Sequence, residues 1–269
     1  MDVAGRSVVI TGAGSGIGRA LAQRMARAGA IVAVADRDAD GARDTVAAVD
    51  AAGGRALAVE CDVRDEAQVQ HLVQVAADAH GPVEIFCANA GVAIGGGPEV
   101  DDAAWARAWE TNVLAHVYGV RAVLPGMLER GEGYLVHTAS AAGLLTQIGD
   151  LPYSVTKHAV VGLAEWLAVT YGNAGIRVSC VCPQYVRTGM TTGGATAASH
   201  GVISEGRMQS VGLVLEPDAV AEAVLAAVHD ERFLVLPHPE VLEYFGRKAS
   251  DYDRWLGGMR RLQASWEAE

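Results

Sequence analysis

Aromatic residues, cysteines and basic side chains are all scarce in this sequence, and each shortage removes a class of protein from consideration. Phe, Trp and Tyr make up 6% of the 269 residues, so small aliphatic side chains have to fill the core. Lys and Arg number 21 against 32 Asp and Glu, a net charge of −11. With no basic stripe to displace phosphate counterions, a nucleic-acid partner is not expected. No apolar run approaches the ~18–20 residues that cross a bilayer, which argues against a membrane partner. Met1 to Arg6 lack the basic start and small-residue cleavage site of a secretion signal, so the expected location is cytoplasmic. The four cysteines, Cys61, Cys87, Cys180 and Cys182, have no zinc-ligand spacing and fall in β-rich runs. They read as small buried hydrophobes, and no metal site is expected.

What the sequence does have is alternation. Short β-branched runs occur at Ser7–Thr11, Ile31–Ala35, Arg55–Glu60, Val83–Ala88, Tyr134–Thr138, Arg177–Cys182 and Phe233–Leu236. Between them the spacing predicts helices over Gly16–Ala28, Ala39–Ala52, Glu66–His80, Asp102–Leu128, Pro152–Tyr171 and Pro217–Val228. Several strand runs are apolar throughout, as strands covered on both faces are. Gly29, Gly53, Gly81 and Gly172 fall at helix ends, where a left-handed C-cap residue is wanted. Strand–helix alternation with short links predicts an α/β fold, one doubly wound domain with a seven-stranded parallel sheet and right-handed crossovers. The body is expected over residues 1–240, with a substrate loop at about 187–215 where the periodicity lapses. Residues 241–269 carry Leu242, Phe245, Trp255, Leu256, Met259, Leu262 and Trp266 among charges. They read as a helical extension packed on the body or on a neighbouring subunit.

The first strand ends in Thr11-Gly12-Ala13-Gly14-Ser15-Gly16-Ile17-Gly18, and the first helix starts within it. Glycines at a strand end let backbone approach a pyrophosphate seated on the positive helix N-terminus. The spacing is G-x-x-x-G-x-G rather than G-x-G-x-x-G. Asp36 closes the second strand, where a carboxylate accepts hydrogen bonds from the adenine ribose hydroxyls and repels a 2′-phosphate. Ser15 adds no positive charge to the loop, so NAD is expected over NADP, although Arg37 lies beside Asp36. Asp38 is available as the helix cap, which frees Asp36 for the ribose. Asp62, after the third strand, suits either the adenine amino group or a helix cap.

The chemistry concentrates in Ser140 and in Tyr153-Ser154-Val155-Thr156-Lys157. Tyrosine and lysine four residues apart share one helix face. An ammonium beside a phenol favours the phenolate and lowers its pKa, making the tyrosine a usable general acid/base. Ser140 ends the fifth strand, the edge at which open α/β sheets bind ligands.

With these residues in place the chain resembles the short-chain dehydrogenase/reductases of about 250 residues, along nearly its whole length. The matching motifs are Thr11-Gly12-x-x-x-Gly16-x-Gly18, the Asn89-Ala90-Gly91 turn, Asn112, Ser140 and Tyr153-x-x-x-Lys157. The resemblance implies a Rossmann-type fold and hydride transfer between NAD and a secondary alcohol or ketone. It implies a tetrad: Tyr153 as acid/base, Ser140 polarising the carbonyl, Lys157 holding the nicotinamide ribose, and Asn112 anchoring a water that links Lys157 to solvent. The cofactor set it implies is Gly12, Ser15, Gly16, Ile17, Gly18, Asp36, Asp62, Val63, Asn89, Ala90, Gly91, Tyr153, Lys157, Pro183, Val186 and Thr188. It also implies a homotetramer or dimer through the two long helices, and the apolar Val160, Val161, Leu163, Trp166, Leu167 and Val169 cover more of the second than one sheet-facing stripe needs.

The chain departs from the family pattern in two turns. Pro183-Gln184 stands where Pro-Gly is usual, and Ala88 precedes Asn89 where a second asparagine is usual. Expected substrate contacts are Ser140, Leu144, Tyr153, Gln184, Tyr185 and Met190, with few charges among them, so a hydrophobic or weakly polar substrate is expected. The eight histidines are given no role. The competing readings are an NAD-binding regulator without catalysis, and an epimerase or dehydratase on the same scaffold.

Overall fold

The computed structural model describes residues 1–191 and 212–267. Seven parallel strands form one sheet in the order β3-β2-β1-β4-β5-β6-β7. They are β1 (Ser7–Thr11), β2 (Ile31–Asp36), β3 (Arg55–Glu60), β4 (Ile85–Ala88), β5 (Gly133–Thr138), β6 (Ile176–Val181) and β7 (Leu234–Val235). Central strands are buried end to end, β1, β4 and β5 without exception, whereas β3 at the edge is mostly open. The side-chain period of two then builds two cores. Val8 and Ile10 of β1 point to one, which helices α1 (Gly16–Arg27), α2 (Ala39–Ala51) and α8 (Pro217–Asp230) cover through Leu21, Met25, Val49 and Val224. Val9 points to the other, covered by α3 (Glu66–His80), α5 (Ala115–Arg130) and α7 (Leu151–Tyr171) through Leu72, Met127 and Leu167. This is the doubly wound Rossmann-type architecture that the alternation predicts.

Three local features differ from expectation. The long helix expected over Asp102–Leu128 is α4 (Asp102–Trp109), a π-helical turn over Glu110–Leu114, and then α5. Gly172 is not a left-handed cap, since its φ is −56° and the chain runs on through a 3₁₀ turn; Gly175, at φ +85°, takes that place. Gly29, Gly53 and Gly81 do have positive φ. Strand ends move by one or two residues, with β7 reduced to Leu234–Val235.

The expected loop at 187–215 lies mostly outside the described residues. Its two ends are pinned together by a parallel bridge, Arg187 N–H to Leu215 O at 2.9 Å and Leu215 N–H to Tyr185 O at 3.1 Å. The segment after residue 240 forms α9 (Glu240–Ser250) and α10 (Tyr252–Glu267), folded back over the short α6 (Ala141–Leu144). Lys248 makes that joint. Its buried ammonium donates to Leu144 O at 2.8 Å and Leu145 O at 3.0 Å, and it lies 5.4 Å from the Tyr252 ring and 5.1 Å from the Trp255 ring. A cation at the carbonyl end of α6 offsets the helix dipole as well as satisfying two acceptors. No helix among the described residues is long and apolar enough to cross a membrane.

Candidate active site

The strand order reverses between β1 and β4, and the carboxyl edge of the sheet opens there into a cleft of about 620 Å³. The glycine loop forms its floor. Gly12 has φ +64°, and a Cβ on it would stand 2.7 Å from Ala90 Cα. A Cβ on Gly18 would stand 2.2 Å from Gly12 O and 2.7 Å from Asn89 Nδ2, so the loop closes on the β4 turn only with glycine here. Thr45 donates to Ala13 O at 2.9 Å, and the Arg19 guanidinium donates to Gly14 O and to Thr45 Oγ1, which anchors the loop carbonyls on α2. Ser15 caps α1 with no side-chain hydrogen bond, leaving the amides of Gly16, Ile17 and Gly18 without helical partners. A cradle that a Cβ would fill, with free amides at a helix N-terminus, is what a dinucleotide pyrophosphate fits.

Asp36 does not cap α2. That task falls to Asp38, which accepts from Gly41 N–H at 3.1 Å. Asp36 accepts from Gly14 N–H at 2.9 Å and Asp38 N–H at 3.0 Å, joining the glycine loop to the β2 end. Asp62 does not cap α3 either, since Asp65 does; Asp62 pairs with Arg64 at 2.6 Å, and that hydrogen bonding holds its carboxyl below the usual range. All of the expected cofactor residues, from Gly12 to Thr188, line this one cleft. So do Arg37, Asp38, Val92, Thr111, Thr138, Met190 and Thr191, which the sequence did not assign to the cofactor. Asn89 donates to Thr11 O at 3.1 Å and accepts from Thr138 Oγ1 at 3.2 Å, tying β1, β4 and β5 together.

Tyr153 and Lys157 line the cleft, and the other two tetrad residues lie beside them, Ser140 next to the phenol and Asn112 next to Gly91. Ser140 caps α6, accepting from Ala142 N–H at 3.1 Å and donating to Pro183 O at 3.4 Å, with its hydroxyl close enough to the Tyr153 phenol to act on its titration. The Lys157 ammonium is buried, donates to Thr138 O at 2.9 Å and lies 5.5 Å from the Tyr153 ring centre. Gly91 leaves the space beside it open, because a Cβ there would sit 3.4 Å from Lys157 Nζ and 3.3 Å from Asn112 Oδ1. Asn112 lies in the π turn, fully buried; it accepts from Val92 N–H at 2.8 Å and donates to Val92 O at 2.9 Å and Thr156 Oγ1 at 3.0 Å.

The titration of the pair departs from the expected one. Burial pushes the Tyr153 phenol up to about 12, against the lowering effect of the nearby Ser140 hydroxyl. Burial also brings Lys157 down to about 8. The lysine was expected to lower the phenol, but here the lowering influence comes from Ser140, and the burial cost outweighs it. Behind Lys157, His116 and His137 stack with Nδ1 atoms 2.9 Å apart, both buried and both held neutral by desolvation.

Ser140 lines not the cofactor cleft but a second cavity of about 740 Å³. Gln184 lines both cavities and separates them. The Pro183-Gln184 turn needs no positive φ, because buried His238 grips it, accepting from Gln184 N–H at 3.1 Å and reaching Tyr185 O with its other nitrogen at 3.1 Å. Of the expected substrate residues, Leu144 and Tyr185 are buried and reach neither cavity. The outer wall is instead the extension: Tyr244, Arg247, Arg254, Trp255, Met259 and Arg261, with Leu262 and Trp266 beyond them. Sequence reasoning also missed Asp150, a buried N-cap for α7. It accepts from Tyr153 N–H at 3.0 Å and Ile94 N–H at 3.1 Å, tying the 92–97 loop to the tetrad helix. The available signal was an Asp three residues ahead of Tyr153, a helix-cap pattern.

A doubly wound sheet with a dinucleotide cleft at its switch point and a Ser–Tyr–Lys cluster beside it defines a nucleotide-dependent oxidoreductase class. Comparison with known proteins places the chain within it. The short chain dehydrogenase family model matches residues 6–197, and the chain belongs to the short-chain dehydrogenase/reductase family. It is 37% identical over 238 residues to cis-4-hydroxycyclohexanecarboxylate dehydrogenase of Sinomonas cyclohexanicum, 86% of this chain and 92% of that one. A family member from Burkholderia phymatum, solved with NAD, superposes with a TM-score of 0.84 at 34% identity, over 94% of this chain and 96% of that one. A 7α-hydroxysteroid dehydrogenase bound to NADH and 7-oxo glycochenodeoxycholic acid superposes at 0.79 with 28% identity, over 87% and 93%. The chain is therefore an oxidoreductase acting on CH–OH groups.

Proposed function

We propose that the protein is an NAD-dependent dehydrogenase/reductase of ring-borne secondary alcohols and ketones, with Tyr153 as its acid/base. The observation that carries this reading is the Tyr153 phenol in the cofactor cleft beside Ser140, which lines the outer cavity, with the Lys157 ammonium buried 5.5 Å from the phenol ring centre. Gly16 to Gly18 would hold the pyrophosphate, Asp36 the adenine ribose, and Lys157 the nicotinamide ribose; Asp36 and Asp38 together disfavour a 2′-phosphate, so NAD is preferred over NADP. The nicotinamide supplies the hydride chemistry when bound. The protein's own part is to present the substrate oxygen to two hydroxyls, Ser140 donating a hydrogen bond and Tyr153 exchanging the proton, with Lys157 stabilising the phenolate form. A substrate in a ring fits within the outer cavity's volume of about 740 Å³, and two of the similar proteins are named for or were solved with ring alcohols or ketones. The same chain is inferred to assemble as a homo-oligomer through α4–α5 and α7.

The test is absorbance of reduced nicotinamide with NAD or NADP and a panel of cyclic secondary alcohols. Tyr153→Phe should abolish turnover while the affinity for NAD, read by calorimetry, stays within about threefold of wild type. Turnover that persists in Tyr153→Phe removes the tyrosine from the mechanism. NAD binding without net redox for any alcohol or ketone would favour a regulator, and isomerised product with no net NADH an epimerase.

A further inference from the structure

We propose that the outer cavity recognises an anionic group on the substrate, so that the enzyme's substrates are cyclic hydroxy or keto acids. The proposal rests on the dehydrogenase reading and adds the substrate's charge. It departs from the hydrophobic or weakly polar substrate that the sequence suggests, because the cavity wall comes from a segment whose docking the sequence does not show.

Along α10, Trp255, Met259, Leu262 and Trp266 recur at spacings of four, three and four and all face the cavity. Such a stripe suits the faces of a saturated ring system. Arg254 and Arg261, two helical turns apart, run along the edge of the stripe and line the same cavity. Among the described residues neither guanidinium has a hydrogen-bond or ion-pair partner. Arg247 lines the cavity too but is paired with Glu243, and Asp251 is the only carboxylate among the lining residues. A positive cavity mouth on a protein of net charge −11 is not a sample of its average surface.

A second observation is independent of charge. Gly257 and Gly258 sit inside α10 with no positive φ, where glycine weakens a helix relative to alanine and no turn requires it. Gly258 lines the cavity. The Arg261 guanidinium folds back over both, 3.6 Å from where a Gly257 Cβ would be and 3.9 Å from a Gly258 Cβ. A Cβ at either position would meet the guanidinium only at ordinary van der Waals distance, and Arg261 lies over a bare stretch of helix at the cavity wall. Ser140 at the inner end and the arginines at the outer end give the cavity two poles, one for the reacting oxygen and one for an anion, with an apolar stretch between them. The planar, multidonor guanidinium matches a carboxylate in particular.

The test is calorimetric binding to the full chain saturated with NAD, using cholate, a tetracyclic secondary alcohol with a side-chain carboxylate, and its neutral methyl ester. The acid is expected to bind about tenfold more tightly than the ester, the range for charge-assisted hydrogen bonds. Arg254→Gln with Arg261→Gln should erase that ratio while leaving the affinity for NAD unchanged, which also shows the variant folded. Equal binding of acid and ester, binding of neither, or a ratio that survives the double substitution overturns the proposal. Failure of the dehydrogenase reading is seen separately, as absence of NADH formation from any alcohol, charged or neutral.

Discussion

Two groups set the behaviour of the site at the scale of single residues, the half-buried phenol of Tyr153 and the buried ammonium of Lys157, and desolvation moves their titrations apart. Tyr153 stands at about 12 and Lys157 at about 8 for the same reason, the loss of water around the charged form. Of the two, Lys157 gives up its proton first, from about pH 8 upwards. Alcohol oxidation needs the pair to accept a proton, so kcat/KM for oxidation should climb with a one-proton slope as pH rises towards that value. Ketone reduction needs the proton present and should fall over the same range. Steady-state rates in both directions between pH 6 and 10 check this, and a profile flat in both directions would dissociate the pair from catalysis. The identity of these residues was legible in the sequence because a Tyr–Lys spacing of four fixes a shared helix face whatever surrounds it. Their titration was not, because it depends on how much water the assembled walls exclude.

Elements position these residues, and the joints between elements are where the structure adds most. Asp150 caps α7 with one carboxylate oxygen and holds the 92–97 loop with the other. An amide at this position has only one acceptor. Whichever way round it sits, Asp150→Asn points an N–H₂ group at a backbone N–H. The variant should lose about 1–3 kcal/mol of stability, the cost of an unsatisfied buried donor. Faster amide exchange at Ile94 or at Tyr153 would locate the broken joint, and unchanged exchange at both, with wild-type stability, would show that the joint carries no strain. The π turn around Asn112 is another such joint. Hydrophobic periodicity changes little across one wide turn, so the pattern over Asp102–Leu128 reads as continuous helix although the hydrogen bonding does not. Strands and most helices were legible because period two and period 3.6 leave distinct marks. Lys248 was not, since a lysine in an amphipathic tail reads as solvated, yet here its ammonium sits on two carbonyls of α6. The tail's apolar residues were visible in the sequence; the wall they make beside Ser140 follows from that single anchor.

For the whole molecule the remaining question is what covers α7. Val160, Val161, Ala164 and Leu167 bury one side of it against the sheet. The opposite side carries Val155, Gly162, Trp166 and Val169 at helical spacing, and Trp166 and Val169 are 57% and 84% exposed. A large indole and a valine held this far into water cost hydrophobic free energy that a lone chain does not recover, whereas a second copy would bury both. Gly162 has nothing within 4 Å of a Cβ position, so a partner helix could approach closely there. An isologous contact would place the same stripe on both sides of a twofold axis, and a charge introduced into it would meet its own copy. Trp166→Glu should therefore convert a dimer or tetramer to monomer, with the NAD cleft undisturbed because Trp166 lines neither cavity. Light scattering on both proteins over a range of concentrations decides it. A monomeric wild type would mean that the stripe is bare, and an oligomer that survives the substitution would move the interface elsewhere on the molecule.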